Sequence, residues 1–219
     1  MPQKIGVTRS RRRGEELEHA LYAATLAELA DVGYGRLTME GIAARARTGK
    51  AALYRRWPTK HALVLDALRH ALPPLPEPRA ERSSRQNLLA MFIAIGDVLA
   101  GKTAFPGLDA LGQLLHEPEL RAIFADELIA PRLQAIDSIL GDAEANGEFD
   151  AGTVTPLTAR IGPALITQHV LLTGAPPTRR ELSRIVDTVL PEPSPASRTG
   201  DSSAPHRKRT RRYPDSTTH

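Results

Sequence analysis

Residues 38–60 read TMEGIAARARTGKAALYRRWPTK, and they decide the fold. Thr38 suits a helix N-cap, and Glu40 favours the first turn behind it. MEGIAARA then sets Ile42 and Ala46 four residues apart on one helical face. Arg47-Thr48-Gly49 breaks the chain, and KAALYRRW opens a second short helix. Pro58 interrupts again, and Thr59 caps a third helix, KHALVLDALRHAL. Two short helices joined by a tight turn make a helix-turn-helix pattern. The second helix carries what close approach to base edges requires. Ala51 and Ala52 keep its N-terminal end small. Leu53, with Trp57 one turn later, gives it an apolar rear face. Lys50, Tyr54, Arg55 and Arg56 place phosphate donors around the small residues. Thr38 and Lys60 stand at the N-termini of neighbouring helices, where free N–H groups and the helix dipole attract phosphate. The pattern therefore predicts double-stranded DNA as a partner. Plainer roles compete: Leu53 and Trp57 as core, Tyr54 and Ala52 as packing, Arg55 as a solvated side chain.

Upstream, residues 1–14 are polar and gather Arg9, Arg11, Arg12 and Arg13, so they are expected to form a disordered basic arm. A helical pattern starts at Glu15. It carries Leu17, Leu21, Leu26 and Leu29, and Gly33 and Gly35 end it. Downstream, Pro73, Pro74, Pro76 and Pro78 stop the third helix and make a stiff boundary. Further helices are predicted over 84–100, 104–115, 118–146, 154–173 and 178–190. Pro131 and Gly162-Pro163 should bend two of them, and Thr178-x-x-Glu181 forms a capping box on the last. No strand-like alternation competes. The expectation is an all-α chain of about nine helices, divided as 1–14, 15–60, 61–190 and 191–219. The last segment is a Ser/Thr/Pro-rich tail, expected to be disordered, with five cations between Arg207 and Arg212.

Composition narrows the function. The chain has 219 residues, no cysteine and a net charge of +4. The missing cysteines exclude a disulfide framework, a thiol nucleophile and any Cys-ligated metal. No apolar run approaches the length of a membrane span, and Glu15, Glu16 and Glu18 stand where a signal peptide would turn apolar. The expected location is cytoplasmic, with no membrane partner. Charge is uneven. Residues 1–60 carry 12 Lys/Arg against 6 Asp/Glu, residues 61–190 carry 11 against 16, and residues 191–219 carry 6 against 3. Basic ends around an acidic middle fit a polyanion partner, and fit ordinary solvated charge equally well. The seven His form no zinc-hydrolase pair, and neither a G-x-S-x-G elbow nor a phosphate-cradling Gly loop is present. No metal, cofactor or catalytic residue is expected.

From Leu21 to about Leu68 the chain resembles the TetR family of bacterial transcriptional regulators. The resemblance rests on Thr38, Ile42-Ala43, Ala46, Leu53-Tyr54-Arg55-Arg56-Trp57, Pro58 and Lys60. It implies an N-terminal three-helix DNA-binding domain followed by a divergent helical effector-binding and dimerisation domain. It also implies a homodimer that sits on a palindromic operator as a repressor and is released by a small molecule. Thr38, Arg47, Thr48, Gly49, Lys50, Ala51, Ala52, Tyr54, Arg55, Arg56 and Lys60 are the candidate DNA contacts. The family usually has Gly-Val-Ser or Gly-Val-Thr at the turn, where this chain has Arg47-Thr48-Gly49. Either Arg47 takes the left-handed conformation, or the turn shifts toward Gly49. An effector pocket is expected among residues 84–173, with Met91, Phe92, Phe105, Leu115, His116, Phe124 and Gln168 as candidate linings that would serve equally as core. Dimer contacts are expected from the last two helices, through Ile161, Leu165, Val170, Ile185 and Val189. An architectural DNA-binding protein without an effector, and an all-α enzyme, are the alternatives.

Overall fold

The computed structural model describes residues 5–108, 112, 116–148, 152 and 154–190, with side chains from residue 14 onward. Every regular element among them is helical. The tail from residue 191 and Leu115 lie outside the described residues, as does half of the helix expected over 104–115.

α1 (Ile5–Arg36) starts earlier than the Glu15 expected for it, so residues 5–13 are helical rather than a disordered arm. Gly33 breaks it. Its φ of 75° and ψ of 160° are open to a residue without Cβ, and Leu37 N–H folds back to the Gly33 carbonyl at 3.1 Å. α2 (Met39–Arg45) follows, with Thr38 Oγ1 accepting from Gly41 N–H at 3.0 Å. α3 (Lys50–Tyr54) and α4 (Lys60–Ala71) complete the first unit, and Thr59 caps α4 by accepting from Ala62 N–H at 3.2 Å. Leu21, Leu29, Leu37, Ile42, Leu53, Leu63 and Leu68 are buried together, with Tyr22, Tyr34 and Trp57 filling between them. α4 packs along α1, so this core continues past residue 60 to Ala71, and Phe105, Leu120, Phe124 and Leu128 belong to it as well. The four prolines then carry the chain away without helix, as Pro must.

α5 (Ser84–Leu99) opens on a capping box that the sequence reading missed: Ser83 Oγ accepts from Gln86 N–H, and the Gln86 side chain accepts from Ser83 N–H. α6 (Pro118–Phe124) passes into a π turn (Ala125–Ile129) and then α7 (Ala130–Ala145). Pro131 explains the change of pitch, because it has no N–H for the Glu127 carbonyl four residues back. α8 (Thr158–Thr173) stays continuous across Pro163, and α9 (Arg179–Val189) starts at the predicted Thr178–Glu181 box. Leu88, Met91, Phe92, Ile136, Leu140, Ile166, Val170, Leu182, Val186 and Val189 form the second core. Gly162 is required there, since a Cβ at that position would fall 2.1 Å from Phe92 Cζ. Met91 and Phe92, expected to line a pocket, are thus closed core. Val170 and Val189, expected to meet a second subunit, face inward and are buried. Both corrections follow from helical phase: apolar spacing marks a helical face, but packing decides which side of each helix meets its neighbours.

Candidate nucleic-acid interface and effector cavity

The turn between α2 and α3 resolves the open question at residues 47–49. Arg47 takes the left-handed conformation, with φ of 52°, while Gly49 is extended at φ −81° and ψ 142°. The hydrogen bonds show why. Arg47 N–H reaches the Ala44 carbonyl at 3.1 Å, and Thr48 N–H reaches the Ala43 carbonyl at 3.0 Å. This is the paired closure that ends a helix through one left-handed residue, normally glycine. Gly101 and Gly147 close α5 and α7 in the same way. Gly49 instead serves as N-cap of α3, and a Cβ on it would meet nothing within 4 Å.

α3 buries Leu53 completely and leaves Lys50, Ala51, Tyr54 and the following Arg55 in solvent, with Ala52 half-buried. Trp57 is buried behind it, and its Nε1–H donates to Asp66 at 2.8 Å, tying the end of the turn to α4. The rear face is therefore core, and the outer face is small and polar. The cations are not equivalent. Lys50 pairs with Glu40 at 3.1 Å, and that contact holds the Glu40 carboxyl below its ordinary range. Arg56 pairs with Glu18 at 2.8 Å. Arg47 and Arg55 have no ion-pair partner among the described residues. Lys60, a candidate phosphate contact, is held by backbone carbonyls. Its ammonium donates to the Tyr34 carbonyl at 3.0 Å and the Leu37 carbonyl at 3.3 Å, and lies 4.5 Å from the centre of the Tyr34 ring. These contacts join the end of α1 to the start of α4 and turn Lys60 inward. The partners Glu18 and Glu40 escaped the sequence reading, since Glu18 meets Arg56 only after α1 and the α3 turn pack.

Of the candidate pocket residues, Phe105 and Phe124 line a cavity of about 70 Å³. Its walls come from Leu72 to Leu75 after α4, from α5 through Ile95 and Val98, from Ile129 at the end of the π turn and from Arg132 in the first turn of α7. His116 and Gln168 are exposed and stand outside it. Arg132 was not anticipated. One signal was available: it precedes Ile136, Ile139 and Ala143 on the apolar face of its helix.

α8 has two apolar faces. Ala159, Gly162, Ile166 and Val170 pack inward. Leu157, Ile161, Leu165 and Leu172 recur on the opposite side in solvent, flanked by Leu171, and Leu171 and Leu172 are 72% and 75% exposed. Ile161 and Leu165 therefore stand on an outward surface, Ile185 of α9 is half-buried, and Leu157, Leu171 and Leu172 are additions to the expected set.

Comparison with known proteins matches this architecture. Residues 21–67 match the family described as bacterial regulatory proteins, tetR family, and residues 78–189 match the tetracyclin repressor-like C-terminal domain. An uncharacterised HTH-type transcriptional regulator of Mycobacterium tuberculosis is 30% identical over 79% of this chain and 85% of its own length. A protein of Mycobacteroides abscessus described as DNA-binding transcriptional repressor TetR is 30% identical over 81% of this chain and 94% of its own. Among solved structures, the flavonoid-responsive regulator FrrA shares the fold with a TM-score of 0.58 at 18% identity, covering 80% of this chain and 94% of that one. The chain belongs to the TetR family of DNA-binding transcriptional regulators. No helix among the described residues is long and apolar enough to cross a membrane.

Proposed function

We propose that this chain is a repressor that binds a palindromic operator as a homodimer through α3 and is released by a small molecule in the cavity beside α4. The observation that carries the reading is the position of that cavity. Leu72, which caps α4, and Pro73 and Pro74 behind it form one wall, while α5, Phe124 and α7 form the other. α4 belongs to the core that holds α3, so a molecule that spreads the walls acts on the placement of α3. In the DNA complex Ala51 and Ala52 meet base edges, while Arg47, Lys50, Tyr54 and Arg55 hold phosphates, Lys50 exchanging Glu40 for a phosphate oxygen. The exposed stripe of α8, with Ile185 of α9, supplies the dimer contact. Homologous repression by the M. abscessus relative supports the sign of regulation.

The test has two stages. DNA selected from a random pool by the purified chain should converge on an inverted repeat. Compounds that raise the melting temperature should then lower affinity for that repeat, since a ligand that binds the folded state stabilises it by mass action. Selection without a common inverted repeat would refute dimeric operator binding. Stabilising ligands that leave operator affinity unchanged would refute release.

A further inference from the structure

Arg132 reaches the apolar cavity without an acid to meet it. Its Nη1–H donates to the Leu128 carbonyl at 2.6 Å, and its Nη2–H reaches the Pro73 carbonyl only at 3.4 Å. Among the described residues no carboxylate pairs with it. Glu127, the acid one turn earlier, is taken by Arg69, which also holds Asp66 at 2.9 Å. Every other side chain on the cavity wall is apolar. Burial pushes the guanidinium below its ordinary pKa, yet arginine stays protonated in proteins. A half-buried cation with only backbone acceptors is incompletely compensated, and an anion arriving there gains a desolvated partner. Arg132 owes its place to Pro131 and the π turn, which set the start of α7 against the segment after α4.

We propose that the cavity takes a short apolar carboxylate, its head on the Arg132 guanidinium and its hydrocarbon body among Val98, Phe105 and Phe124. This rests on the cavity being the effector site, and adds the chemistry of the effector. The planar fork of arginine matches a carboxylate with two parallel hydrogen bonds. A phosphate dianion would need further donors, and the wall offers none. The volume of about 70 Å³ keeps the enclosed body small, on the order of five water positions. The head also competes for the Nη2–H that now bridges to Pro73, so the ligand reaches the segment that follows α4.

Calorimetric titration of the full chain with hexanoate, 1-hexanol and hexylammonium tests this. Hexanoate should bind roughly ten- to a hundredfold more tightly than 1-hexanol, the range expected for a charge-assisted pair, and hexylammonium should not bind. Arg132→Gln should abolish the preference for hexanoate while leaving 1-hexanol unchanged, and Arg132→Lys should keep part of it. Equal affinity for hexanoate and 1-hexanol, absence of hexanoate binding, or a preference that survives in Arg132→Gln would overturn the proposal. Should Arg132→Gln fail to fold by circular dichroism, Ala94→Leu decides: it fills the cavity and should weaken hexanoate at least tenfold, and unchanged binding would place the ligand elsewhere. The effector reading is scored separately. Hexanoate bound through Arg132 without loss of operator affinity upholds the carboxylate site and refutes release. Release by a neutral compound that Ala94→Leu blocks upholds release and overturns the carboxylate.

Discussion

The outer surfaces of α3 and α8 are built from opposite materials. On α3 the apolar residue, Leu53, is wholly buried, and the outer side presents Lys50, Ala51, Ala52 and Tyr54. On α8 the inner side is equally well packed, yet the outer side carries Leu157, Ile161, Leu165 and Leu172 into solvent. A surface of small and polar residues suits a charged, hydrated partner, whose phosphates and base edges reward hydrogen bonds. A continuous apolar stripe suits another apolar surface, because its removal from water is the gain. One helix hides its apolar residue within the monomer. The other keeps an apolar outer face, and in the proposed dimer a second copy covers it.

Acidic substitutions on the two outer faces, set against one in the core, break this comparison most sharply. Ala52→Glu on the outer side of α3 should keep the fold and abolish preference for operator over random DNA, a loss of about 4 kcal/mol or more. Fluorescence anisotropy on both DNAs measures it, and unchanged operator affinity would remove α3 from the groove. Val189→Asp buries a charge in the second core and should lower stability by several kcal/mol. Leu165→Asp, on the outer face of α8, should leave circular dichroism intact and shift sedimentation from dimer to monomer. Equal destabilisation by the two would show that the outer face of α8 is core after all.

The inner face of α8 gives a smaller effect. Gly162→Ala forces a methyl into the Phe92 ring and should destabilise by about 1–3 kcal/mol in urea unfolding. Tyr54→Phe on α3 removes one phosphate donor and should weaken operator and random DNA alike, by roughly two- to tenfold. The smallest expected change is at the turn. Arg47→Gly relieves a left-handed arginine and should stabilise by up to about 1 kcal/mol, since the greater freedom of glycine in the unfolded chain offsets part of the gain. The same variant should lower the magnitude of the salt slope of log affinity by about 0.9 if Arg47 holds a phosphate. An unchanged slope would confine Arg47 to the turn.

The helices themselves were legible because their signals are local. Thr38, Thr59 and the Thr178–Glu181 box announce starts, Gly33 an end and Pro73 to Pro78 a boundary, and each acts through backbone within a few residues. Residues 38–60 could be read as far as the outer face of α3, because a five-residue helix with one buried leucine has only one way to present its small residues. Phase was harder. Val170 and Leu171 are adjacent and equally apolar, yet one is buried and the other exposed. Nothing local distinguishes them, because the choice belongs to the helices packed against α8. Lys60 and Arg132 teach the same lesson for charge. Sequence marked Lys60 as a cation beside a DNA-binding helix, and only the approach of Tyr34 and Leu37 turned it to their carbonyls. Arg132 was one basic residue among many until Arg69 took Glu127 and left it facing an apolar wall. Thus caps, breaks and the helix-turn-helix pattern came from sequence alone, since short-range hydrogen bonding and sterics set them. Which apolar face is hidden, which cation is free and where the cavity opens were decided by tertiary structure, since burial and electrostatic compensation are set by residues distant along the chain.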